Sequence, residues 1–151
     1  MVSERTDPLR APTLTLAVLA RVLERTLDDM TLPQFRVLSL IASSPERAGR
    51  IATRADVSRP SLTGLLDGLV QRGWVQRVHV AGDRRGVSLE ITDAGRAALD
   101  QARLATTSRV ASLLDRLDDR ERELALDGMA ALGRALDADL ADRQAAAVST
   151  S

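Results

Sequence analysis

The chain has 151 residues, enough for one domain or for one domain with an oligomerisation appendage. Its 21 basic and 21 acidic residues cancel to a formal net charge of zero, which taken whole excludes a polybasic, histone-like binder. An apolar share of 44% with 28% charged residues excludes disorder along the whole length, and the absence of Cys removes disulfides, thiolate metal sites and cysteine redox sensing.

The rest of the inventory argues against catalysis. There is no Lys and no Tyr, and every basic residue is Arg, so a Schiff-base lysine and a P-loop lysine are impossible. His79 is the only histidine, which rules out paired-His metal sites; no metal, cofactor or enzymatic activity is expected. No apolar run approaches the roughly 20 residues that a membrane helix needs. The first ten residues are charged and lack an apolar signal region, so a cytoplasmic location is expected.

In chain order, residues 1–10 read as a flexible N-terminus. A helix follows from Pro12 to about Asp29, with Leu14, Val18 and Val22 at four-residue spacing and Leu16, Leu19, Leu23 and Leu27 beside them. That surface is wider than one stripe, so the helix is expected between two partners, one of them a second subunit. Thr31, Pro33 and Gln34 form a helix start with a capping box, and Phe35, Leu38 and Ile41 then give one apolar face up to Ser43.

Ala48 to Ala55 predicts a short helix, and Asp56-Val57-Ser58 a tight connection. Ser58 caps a second helix with Pro60 in its first turn. Its Leu62, Leu65, Leu66, Leu69 and Val70 follow helical periodicity, and Gly73 stops it. This is a helix-turn-helix pattern. The period then changes: Trp74 to Val80 and Val87 to Ile91 read as two strands around a turn holding Asp83, Arg84 and Arg85 between two glycines, a β-hairpin with a basic tip. Thr92 caps a long helix from Asp93 to about Leu117. Asp118 and Glu121 start the last helix, with Leu124, Met129, Leu132, Leu136 and Leu140 on one side to about Asp142. The expected fold is mainly α with a small β-hairpin wing. Residues 31–96 form a winged helix-turn-helix domain, 11–30 and 97–142 a helical dimerisation region, and 143–151 a disordered tail.

Three stretches between Leu32 and Arg96 carry a family resemblance: Pro33 to Leu38, Val57 to Arg77, and Gly82 to Arg96. Arg72-Gly73-Trp74-Val75-Gln76-Arg77, then Asp83-Arg84-Arg85, then Leu89 to Arg96 resemble the MarR family of bacterial winged-helix regulators. The resemblance covers about residues 12–142. It implies a homodimer built on N- and C-terminal helices that binds a palindromic operator in double-stranded DNA, a cytoplasmic, nucleoid-associated regulator. Charge distribution agrees. Residues 46–89 hold eight Arg against four acids, whereas residues 97–151 hold seven against ten. The basic charge lies where phosphates would be met.

DNA-contacting roles fall on named positions. Near the start of the second helix of the motif, Arg59 suits guanine, Ser61 and Thr63 suit bases or phosphates, and Ser58, Pro60 and Gly64 share that surface. The amides of that helix N-terminus are further phosphate donors. The resemblance implies Arg85 entering the minor groove, Asp83 bracing the wing, and Arg84 on phosphate or on the brace. Arg54 and Arg77 are candidates for backbone contact. The resemblance also implies a repressor released by a small anionic or phenolic effector held where the dimer helices meet the winged domain, with Arg21, Arg25 and Arg36 as pairing candidates. Gly64 and Gly68, expected on the outer face of the second helix where relatives more often carry longer side chains, imply either close approach of the backbone to DNA or sparse base reading with more weight on the wing. They are also the only support for the alternative, a protein-interaction module or antitoxin-like subunit that binds DNA weakly. His79, Trp74 and Phe35 read as structural, and the acidic group from Asp115 to Glu123 as a helix start.

Overall fold

The computed structural model describes residues 7–43, 48–55, 57–79 and 87–149. In order these form α1 (Arg10–Glu24), α2 (Leu32–Ser43), α3 (Ala48–Ala55), α4 (Arg59–Gln71), β1 (Val75–His79), β2 (Val87–Ile91), α5 (Asp93–Leu114) and α6 (Asp119–Ser149). The architecture is the expected one: mainly helical, with one antiparallel two-stranded sheet.

Short-range chemistry sets most of the boundaries. At the head of α2 the Thr31 amide donates to Gln34 Oε1 at 3.0 Å while the Gln34 amide donates to Thr31 Oγ1 at 3.3 Å, so two otherwise orphaned donors are satisfied reciprocally. Asp118 and Glu121 repeat the device before α6, at 2.8 and 3.2 Å. Thr92 Oγ1 accepts from the Gly95 amide at 3.0 Å and donates to the Gly73 carbonyl at 2.6 Å. It therefore caps α5 and ties it to the turn after α4.

Gly73 sits at φ +70°, a conformation that side chains with a Cβ rarely adopt, and ends α4 as expected. Gly95 has a different reason to be glycine: a Cβ there would lie 2.1 Å from the Trp74 carbonyl oxygen. The first turn of α5 is pressed directly against the backbone of the α4–β1 turn.

The core lies inside the winged segment. Val37, Leu38 and Ile41 of α2, Ile51 of α3, Leu62, Leu66 and Leu69 of α4, Val75, Leu89 and Ile91 of the hairpin, and Leu99 of α5 form one buried cluster. Leu27 and Met30 join it from the α1–α2 connection. Their burial explains why α1 stops at Glu24, five residues before the expected end: the chain turns inward to place both side chains.

The long helices behave differently. None of α1 is buried, and Leu14, Leu16 and Val18 stand more than half exposed. On α6, Leu124, Leu126, Met129, Leu132 and Leu136 are exposed as well. α6 also continues past the expected end near Asp142, so the segment 143–149, expected to be disordered, is helical. Ala145, Ala146 and Ala147 are strong helix formers, and no Gly or Pro intervenes to stop the run. Among the described residues no helix is long and apolar enough to cross a membrane.

Candidate nucleic-acid interface

α3 and α4 meet through Ile51, Ala52 and Ala55 on one side and the Leu62, Leu66 and Leu69 stripe on the other. This leaves Pro60, Ser61, Thr63, Gly64, Asp67 and Gln71 exposed along the outer face of α4. Ser58 caps the helix: its Oγ accepts from the Ser61 amide at 3.3 Å, and the two hydroxyls share a hydrogen bond at 2.8 Å. Leu62 N donates to Ser58 O at 2.9 Å. With Pro60 lacking an N–H, three of the first four positions therefore have no amide left for a phosphate. The anion-binding role expected of this N-terminus narrows to the Arg59 position, which opens the helix.

The two glycines separate. Gly64 faces open space, with nothing within 4 Å of a would-be Cβ. Gly68, expected to point outward, is half-buried instead, and a Cβ there would sit 3.3 Å from Gln34 Nε2 on α2. Its small size serves helix packing, so only Gly64 leaves a gap on the reading face.

In the hairpin, Val75 pairs with Ile91 and Arg77 with Leu89. Positions 75 and 77 share one face of the strand, because side chains alternate. Arg77 thus follows Val75 on the side facing the core and reaches back to α4, where it forms an ion pair with Asp67 at 2.8 Å. The two side chains are 53% and 60% exposed, so the pair adds about 0–1 kcal/mol to stability. Its greater effect is electrostatic, since a carboxylate on the outer face of α4 holds a guanidinium expected to meet phosphate. Asp67→Asn is expected to leave the melting temperature nearly unchanged and to tighten duplex binding roughly threefold to tenfold at low salt, with a steeper salt dependence. Fluorescence anisotropy across a salt series checks this.

Arg54 lies half-buried in the last turn of α3. Asp83, Arg84 and Arg85 fall outside the described residues, as does the Arg59 side chain. Arg21 on α1, Arg25 just after it and Arg36 on α2 are exposed. An apolar groove of about 410 Å³ does lie between α1, α2, α5 and α6, walled by Leu23, Leu32, Phe35, Val110, Leu114 and Leu126, but none of the three arginines lines it. The acidic residues before α6 are occupied otherwise: Asp118 and Glu121 close the capping box, and Asp115 pairs with Arg122 at 2.8 Å. Among the described residues, no group of three or more His, Asp or Glu is placed to hold a metal ion.

Comparison with known proteins decides the family. A MarR family model matches residues 28–86, the segment that carries α2, the helix-turn-helix and the first strand of the hairpin. The uncharacterized HTH-type transcriptional regulator YfiV of Bacillus subtilis is 31% identical over 125 residues, covering 82% of this chain and 78% of that one. The chain belongs to the MarR family. It is accordingly a DNA-binding transcriptional regulator and not an enzyme. The HTH-type transcriptional repressor YetL of Bacillus subtilis is also 31% identical, over 94 residues; the match spans 60% of this MarR-family chain and 56% of YetL. Among solved structures, the transcriptional repressor CouR bound to a 23-mer DNA duplex superposes with a TM-score of 0.69 at 31% identity, over 81% of this chain and 88% of that one.

Proposed function

We propose that the protein is a homodimeric, sequence-specific repressor that reads a palindromic operator with α4 and the wing of each subunit, in the bacterial cytoplasm. The observation that carries the reading is the division of labour along the chain. The compact core and the basic excess sit together in the winged segment, while α1 and α6 expose rows of leucines that a lone chain leaves in water. Exposed apolar faces of that extent mark an interaction surface, and a second copy places two α4 helices side by side.

On this reading α4 lies in the major groove with Arg59, Ser61 and Thr63 toward base edges, and Ser58 and Pro60 shape the entry of the helix. Gly64 allows close approach of backbone to DNA. Arg85 enters the minor groove from the wing, Asp83 braces it, and Arg84 and Arg54 meet phosphates, with Arg77 reaching one only on leaving Asp67. A small ligand that occupied the apolar groove beside Phe35 and Val110 would bear on both the dimer helices and the core, and so shift the spacing of the two α4 helices. Arg21, Arg25 and Arg36 would serve an anionic effector only from outside that groove. The alternative, a protein-interaction module, loses half its support because Gly68 is a packing residue.

Arg85→Ala tests the wing. Operator affinity is expected to fall about 10- to 100-fold, the loss of one well-placed contact per subunit, with the melting temperature unchanged. Unaltered affinity in a mobility-shift titration would sink the wing assignment.

A further inference from the structure

A second cavity, of about 260 Å³, lies on the other side of α5, between that helix, the α1–α2 connection and Trp74. Small residues of α5, among them Ala98, Ala102 and Ala105 at helical spacing, create the space. A cavity of roughly 150 Å³ already admits benzene, so a single substituted ring fits. Its polar lining is two acids, Asp28 and Asp29, with neutral Thr26 and Gln101, and among the described residues no arginine lines it.

The same wall already engages a guanidinium. Arg72 places its guanidinium carbon 4.8 Å from the Trp74 ring centroid and donates to the Asp29 carbonyl oxygen. An indole face beside a carbonyl oxygen attracts flat cations, and Arg72 itself stays outside the cavity lining. We propose that this cavity binds a small aromatic cation, an amidine or amine on one ring. The ring would lie against Trp74 and the α5 alanines, and the charge against Asp28 and Asp29. Arg72 offsets one of the two carboxylates, which leaves a net negative charge on this wall and disfavours a benzoate-like anion, so the site differs in charge preference from the anionic effector expected above. Because Arg72 is the C-cap residue of α4, the occupied cavity would abut the end of the recognition helix.

Trp74 is the only tryptophan and the chain has no tyrosine, so intrinsic emission reports this wall directly. Titrating the full chain with benzamidine is expected to give a saturable change in Trp74 emission, with sodium benzoate binding at least about tenfold more weakly. Replacing both exposed carboxylates, Asp28→Asn with Asp29→Asn, is expected to weaken benzamidine by about tenfold or more and to leave benzoate no weaker. Equal affinity for the two isosteres, no saturable change, or full benzamidine affinity in the double variant would each overturn the proposal. The wild-type comparison of benzamidine with benzoate stands even if the double variant does not fold. The readout involves no DNA, so failure of the regulator reading would not be mistaken for failure of this one.

Discussion

Gly95→Ala is expected to lower the melting temperature by about 10 °C, since among the described glycines it is the one whose added methyl group would overlap backbone. The added carbon would lie 2.1 Å from the Trp74 carbonyl oxygen and 2.9 Å from Ile91 Cγ1. The first of these is backbone and cannot swing aside. It is also engaged, since Trp74 O accepts from the Thr92 amide at 3.0 Å, and Thr92 Oγ1 in turn holds Gly73. Relieving the overlap means lifting the start of α5 off the α4–β1 turn. That costs about 3 kcal/mol, at the upper end of ordinary overpacking, against a total stability of about 5–15 kcal/mol. For a chain of this length each kcal/mol is worth roughly 2–4 °C. Gly64→Ala is the control. It meets open space in a helix interior, so it should stabilise by up to about 1 kcal/mol. Circular dichroism melts of the two variants check both; a Gly95→Ala protein melting within a few degrees of wild type would mean that the contact is not tight.

Leu132→Glu with Leu136→Glu is expected to turn a dimer into a monomer. Both residues lie on the exposed apolar side of α6, at 51% and 63% exposure in the single chain, so neither change removes a contact from the subunit's own core. In a dimer each leucine would contribute about 1.5–3 kcal/mol by burial, and each glutamate would leave a charge without a partner. The combined loss exceeds about 4 kcal/mol, at least a thousandfold in the dimer dissociation constant. Sedimentation velocity at micromolar concentration reads the outcome. A double variant that sediments as wild type would place the dimer surface elsewhere.

What the sequence disclosed follows the range of the interactions involved. Thr31 with Gln34, Ser58 with Ser61, and Asp118 with Glu121 are legible because each partner lies three residues away, and the hairpin is legible from its alternation. The family resemblance rested on the same segments, from Arg72 to Arg77 and from Leu89 to Arg96. Contacts between distant segments were not legible. Gly68 looked like an outward gap because nothing near it in sequence names Gln34 as its neighbour. Arg77 looked like a free phosphate contact because Asp67 lies ten residues away on another element. Arg21, Arg25 and Arg36 occupy plausible segments, but a segment does not fix which way a side chain faces, and the apolar groove is lined by their neighbours Leu23, Leu32 and Phe35 instead. The end of α1 was misplaced because burial of Leu27 and Met30 in the core overrides a helical pattern that runs on through Leu27.

Binding to the DNA upstream of the protein's own gene tests specific, dimeric operator recognition most directly. Affinities for that duplex and for a scrambled duplex of equal length would be measured by anisotropy between roughly 50 and 200 mM salt, with the stoichiometry read at saturation. Two chains are expected per site, with affinity at least about a thousandfold above the scrambled duplex and falling linearly in logarithmic terms with salt. Equal affinity for the two duplexes, or one chain per site, would contradict it.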